Sequence, residues 1–143
     1  MTAVITAGAG FLAAVLWFDL MFDVQVRRGP SDEALESIRR YYRRVTTDAR
    51  PMNQLVALVM LGTLAALVAQ LIGSDAPDWA SAASLALTAG AIGIAATRTV
   101  PNAVRVGAGE GDAPRLTRAI LGDHILCLGA IAGILVLQLG FCL

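Results

Sequence analysis

The sequence predicts an all-α integral membrane protein, a four-helix bundle with its N- and C-termini on the non-cytoplasmic side, and three observations lead there. Hydrophobic residues make up 57% of the chain, above the ~45 to 50% usual for soluble domains, and mean hydropathy is +0.68. Four apolar segments, about 3–26, 52–72, 79–97 and 116–141, each approach the ~20 residues a helix needs to cross ~30 Å of hydrocarbon. All eleven basic residues are arginines, confined to two stretches, 27–50 and 98–118. The positive-inside bias places both stretches in the cytoplasm, with the chain ends and the hairpin at 73–78 opposite. Residues 1–143 form one transmembrane domain. The first segment has no basic region before it and outruns a signal peptide, so it reads as retained.

After the first span, Gly29-Pro30 breaks the helix, and Ser31-Asp32-Glu33 supplies a cap and acids suited to a new N-terminus. A cytoplasmic amphipathic helix over about 31–47 follows, with Leu35, Ile38, Tyr41 or Tyr42, and Val45 on its apolar face. Its arginines either set topology alone or lay the helix against anionic headgroups. Pro51 suits the first turn of the second span, which carries Asn53 and Gln54. Asp75, Pro77 and Asp78 provide turn chemistry in the outer hairpin, and Trp79 is placed as an interfacial anchor. Pro101 and Pro114 bracket the second arginine loop, whose glycine-rich run 107–111 reads as flexible. Small residues Ala82, Ala86 and Gly90 on the third span, and Gly122, Gly129, Gly133 and Gly140 on the fourth, predict close approach of those helices or a homo-oligomer seam. Cys127 and Cys142 are fifteen residues apart on one helix, too far to pair with each other.

The topology gathers polar residues at the cytoplasmic end. Asp19 and Asp23 share a face of the first span, Asn53 opens the second, Arg98, Asn102 and Arg105 close the third, and Asp123 with His124, the only histidine, lies in the fourth. A carboxylate at membrane depth costs several kcal/mol unless paired, protonated or wet, so such groups are candidates for function. Three uses compete. Asp19, Asp23, Asp123 and His124 have the ligand types of a metal site, although adjacent Asp123 and His124 point ~100° apart on a helix. Alternatively His124 acts as a base tuned by Asp19 and Asp23, with Arg98, Asn102, Arg105, Asn53 and Asp123 binding substrate. In the third use, arginines neutralise the aspartates in a network that only fixes helix register.

The segments Val100-Pro101-Asn102-Ala-Val-Arg105 and Leu121-Gly-Asp-His124, with Tyr41-Tyr42-Arg-Arg and Arg50-Pro51-Met52 before them, resemble the small four-helix membrane proteins related to anthrone oxygenases. That resemblance implies a cofactor-independent oxygenase, or a protein that binds aromatic, polyketide or quinone-like molecules, with Asn102 and His124 as the matching positions.

The expected function is therefore binding of a hydrophobic small molecule in a cytoplasm-facing polar cavity, with oxygenase chemistry in view and no cofactor required. The competing reading is a non-enzymatic membrane subunit, or a small proton or cation transporter. The expected partners are the lipid bilayer and the small molecule. No Walker-type loop, zinc-finger spacing or cysteine-pair motif is present in the sequence, and no nucleic-acid partner is expected. Lysine is absent while Ala, Arg and Gly abound, which points to a GC-rich bacterial source and hence a bacterial cytoplasmic (inner) membrane.

Overall fold

The computed structural model describes residues 1–27, 29–48, 50–73 and 76–142, and for Arg50 the backbone alone. Arg28, the side chain of Arg50 and the turn role of Asp75 lie outside the described residues. Among the described residues six α-helices make up the fold, with no strand: α1 Thr2–Asp23, α2 Asp32–Arg43, α3 Arg50–Gly73, α4 Asp78–Ile94, α5 Val100–Ala108 and α6 Ala113–Phe141. Four helical runs among the described residues are long and apolar enough to cross a membrane: Thr2–Val26, Pro51–Gly73, Asp78–Ala108 and Ala113–Phe141. In the bundle α1 packs on α3, α3 on α4, α4 on α6 and α6 back on α1, while α2 lies across α5 at the arginine-rich end.

Local chemistry explains the helix boundaries. Ser31 Oγ accepts from the Ala34 N–H at 3.2 Å to start α2, and Asp112 Oδ1 accepts from the Arg115 N–H at 3.2 Å to start α6. The third span does not stop near Thr97. It continues through a π-helical turn, Ala95–Thr99, into α5, giving a run of 31 residues. Pro101 cannot donate to the Thr97 carbonyl and its ring crowds that oxygen, and a widened turn just ahead absorbs the mismatch without breaking the helix. The glycine-rich run is correspondingly short as a loop. Gly107 is buried inside α5, and only Gly109 and Gly111, both at positive φ, shape the turn into α6.

The apolar face of α2 is not spent on lipid headgroups. Ile38 and Tyr42 pack with Val26, Ala103, Val106 and Ile120 in a core beneath the arginine-rich surface. Contact there is backbone on backbone, since a Cβ on Gly107 would lie 2.8 Å from the Arg43 amide nitrogen. A second core, Ile5, Ala9, Ala66, Leu67, Ile131 and Ile134, joins α1, α3 and α6 deeper in the bundle.

The small-residue pattern takes a different role from the one expected. Ala82, Ala86 and Gly90 are exposed, and open space surrounds Gly122, Gly129 and Gly140; only Gly133 meets a neighbour, Leu87 of α4. Instead α4 turns Ser81, Ser84 and Thr88 inward. Lipid solvates alanine and glycine faces well, whereas hydroxyls need partners that only the bundle interior provides. The best-connected of them, Ser84, accepts from Gln138 Nε2 at 3.1 Å, and Gln138 Oε1 accepts from Gln70 Nε2 at 3.1 Å. Gln70 Nε2 also donates to Thr2 Oγ1 at 3.1 Å, so this network ties all four spans together at the end remote from the arginines. Nearby, Trp79 stays exposed and meets Phe141 edge-on at 4.9 Å.

Candidate functional site

Asp19 and Asp23 fall one turn apart on α1, and α2 folds back so that its adjacent tyrosines reach them. Tyr41 Oη donates to Asp19 Oδ1, and Tyr42 Oη donates to Asp23 Oδ1 at 2.5 Å. Tyr41 is held by a stacked Phe22 ring at 4.0 Å. From α6, His124 Nδ1 meets Asp23 Oδ2 at 2.6 Å. Asp23 is fully buried, with a partner on each oxygen, so α1, α2 and α6 converge on one carboxylate. Burial is the first cause raising the Tyr41 hydroxyl above its ordinary pKa, followed by its bond to Asp19. For Tyr42 burial again comes first, then the charge of Asp23 and the bond to it. Both phenols therefore stay protonated and act as fixed donors.

Asp123 and His124, adjacent in sequence, separate as helical geometry requires. Asp123 turns toward the end of the third span, where Arg98 meets its Oδ1 at 2.9 Å and Thr99 Oγ1 lies 3.4 Å from its Oδ2. Among the described residues neither Asp19 nor Asp23 pairs with an arginine, and no three His, Cys, Asp or Glu side chains come together as a metal site would need.

Below this cluster lies a cavity of about 340 Å³, walled by all four spans and capped by α2. Its walls are apolar (Leu12, Val56, Met60, Ala91 and Ile131 among them), and its polar end holds Asp19, Tyr41, Tyr42, Asn53, Thr99 and His124. The exposed Phe18, Met52 and Val100 reach its rim. The cavity exists because α3 splays. Every buried residue of α3, namely Thr63, Ala66, Leu67 and Gln70, lies in its second half. Gly8 lets α1 close on Thr63 there, since a Cβ at Gly8 would run into Thr63 Oγ1. Nearer the arginines α3 stands away and leaves the space open.

The structure thus brings Asp19, Asp23, His124 and Asn53 to one place and leaves out the other expected residues. Arg98 is mostly exposed and engaged by Asp123, and neither residue lines the cavity. Asn102 and Arg105 do not line it either, and the Arg105 guanidinium lies over Gly111. Asn53 lines it, but its Nδ2 already donates to the Thr46 carbonyl at 3.0 Å. The tyrosines were legible only as members of an apolar face. The glutamine network carried a signal, two amides in otherwise apolar spans, that sequence reading passed over.

Comparison with protein families matches residues 1–142 to the SHR3 chaperone family, described as ER membrane protein SH3. Searches of curated proteins and of solved structures found no match. The family match overturns the resemblance to anthrone oxygenases. That resemblance rested on short arginine, proline and histidine stretches at helix ends, and topology and capping impose such residues on unrelated bundles. The match also overturns the bacterial inner-membrane placement, because a lysine-free, arginine-rich composition reflects coding bias and does not specify a compartment. Matched over nearly its whole length, the chain belongs to the SHR3 chaperone family of ER membrane proteins.

Proposed function

We propose that this chain is a non-enzymatic chaperone of the ER membrane, which assists other membrane proteins and turns over no substrate. The family supports the chaperone role. The observation that carries the non-enzymatic part is Asp23, fully buried with both oxygens engaged by Tyr42 and His124. A buried carboxylate engaged from two other helices fixes helix register, which is the role of a structural network. On this reading the arginine-rich end faces the cytosol and both termini face the lumen, as the positive-inside bias favours. The test is the native yield of a defined polytopic membrane reporter made in ER microsomes lacking the chain. Yield should fall, and adding back the wild-type protein should restore it; an unchanged yield would refute the role.

A second reading is favoured by the cavity itself. At about 340 Å³ it falls in the ~300 to 1,000 Å³ range of small-molecule sites, with the mostly apolar wall and few polar groups typical of them. In this reading the protein holds one hydrophobic molecule, with Asp19, Asn53 and His124 at its polar end.

A further inference from the structure

The hydrogen-bonding state of the cavity's polar end specifies what kind of molecule fits. Three side chains there are partly engaged within the protein, and what each leaves open decides the fit. Asn53 gives one of its two amide hydrogens to the Thr46 carbonyl, which leaves Oδ1 as an acceptor beside one remaining N–H. His124 meets the Asp23 carboxylate through Nδ1 at 2.6 Å, which leaves Nε2 as its ring nitrogen open to a guest. Asp19 receives Tyr41 on Oδ1, and its second oxygen has no partner among the described residues. All three side chains line the same cavity. What remains open at its polar end is a carboxylate oxygen, an amide oxygen with one N–H, and a ring nitrogen.

Charge points the same way. Among the described residues no arginine lines the cavity, although the described arginine side chains all lie toward this end of the molecule. An anionic head, whether phosphate or carboxylate, would meet Asp19 with no cation to offset it. An ammonium group has three N–H donors and no acceptor, which suits the open oxygens of Asp19 and Asn53. A charge-assisted bond from an ammonium to a carboxylate is also stronger than a neutral one.

We propose that the cavity takes a single-chain amphiphile bearing a primary amine, its chain along Val56, Met60 and Ala91 and its ammonium against Asp19, Asn53 and His124. This rests on the reading that the cavity holds a hydrophobic small molecule, and adds the class of its head.

The experiment uses the full chain in phosphatidylcholine nanodiscs and a diazirine-bearing decylamine, with labelled positions mapped on peptides. Label should fall on the cavity-lining positions of α3 and α4. Unlabelled decylamine should compete about tenfold or more better than decanoate, with decanol between them. Asp19→Asn should lower labelling by a similar factor. Met60→Trp, which puts a larger ring across the path of the guest's chain, should remove labelling by every probe. If labelling persists in Met60→Trp, or falls only on lipid-facing positions such as Leu58 and Val136, the cavity reading itself fails. If Met60→Trp removes labelling yet decanoate competes as well as decylamine in the wild type, the cavity stands and the amine assignment is overturned. That comparison needs no variant, so it decides the matter even if Asp19→Asn does not fold.

Discussion

Replacing Asp23 with alanine leaves two buried donors facing nothing, Tyr42 Oη at 2.5 Å and His124 Nδ1 at 2.6 Å in the wild type. Each buried donor left unsatisfied costs about 1 to 3 kcal/mol, so the truncation should cost about 2 to 6 kcal/mol. Asp23→Asn should cost less, because the amide oxygen can still accept from one partner while its NH2 opposes the other. Asp19→Ala should cost less again, since Asp19 is only half-buried and has a single partner on its carboxylate. At about 2 to 4 °C per kcal/mol for a chain near this size, Asp23→Ala should lower Tm by roughly 4 to 24 °C. Truncation cost and pairwise worth differ, so a double-mutant cycle of Asp23→Ala with His124→Ala should report a coupling of only about 0.6 to 2 kcal/mol, the scale found between membrane helices. The assay is thermal unfolding in nanodiscs, followed by near-ultraviolet circular dichroism. A loss for Asp23→Ala no larger than that for Asp19→Ala would mean that Asp23 does not join α1, α2 and α6.

Gly107→Val drives a side chain into the Arg43 backbone, so α2 should detach from α5 at a cost of about 1 to 3 kcal/mol or more, read as new protease cleavage within 32–48. Gln138→Leu removes the link from α6 to Ser84 and Gln70 and should cost about 1 to 2 kcal/mol by thermal unfolding; no loss would show the remote network to be energetically silent. The Tyr42 hydroxyl is raised by burial and by Asp23, so the unfolded chain loses that proton first as pH climbs past about 10. Stability contributed by Tyr42 is then full below pH ~10 and falls above it by about 1.4 kcal/mol per pH unit. Denaturant midpoints between pH 9 and 11.5 should show the slope, and Tyr42→Phe should flatten it.

Much of the fold could be read directly because lipid imposes long apolar runs and arginines mark one side. What escaped reading was the identity of the neighbours. Spacing on α2 puts Tyr41 or Tyr42 on an apolar face, but nothing local says that this face closes over Asp19 and Asp23 and that both tyrosines reach them. The Asp23 to His124 bond joins residues 101 apart in sequence, a distance over which no periodicity carries information. Arg98 reads as substrate-binding because a guanidinium fork fits carboxylate or carbonyl oxygens, yet adjacent charges on α6 diverge and Asp123 claims it. The small-residue stripe misled for a physical reason: the same alanines and glycines suit a tight seam and a smooth lipid-facing surface equally well. Pro101 misled because a π-helical turn can carry a helix past a proline that sequence rules treat as a stop.

The placement of buried residues on α3 also sets how the cavity opens. Thr63, Leu67 and Gln70 hold the second half of α3 through Gly8, the deeper core and the glutamine network, while the described side chains of 51–62 bury none of their number. A helix fixed at one end with few buried contacts at the other moves most at the free end. Since Met52, Val56 and Met60 line the cavity from that free end, motion of α3 should admit a guest from the lipid side without disturbing Asp23. Spin-label distances to a common reference on α6 test this. Labels at Leu55 should give a broad distribution that narrows when decylamine is added, whereas labels at Leu71 should give a narrow one throughout. Equal widths at the two positions would show α3 to be rigid along its length, and a guest would then have to enter past α2 instead.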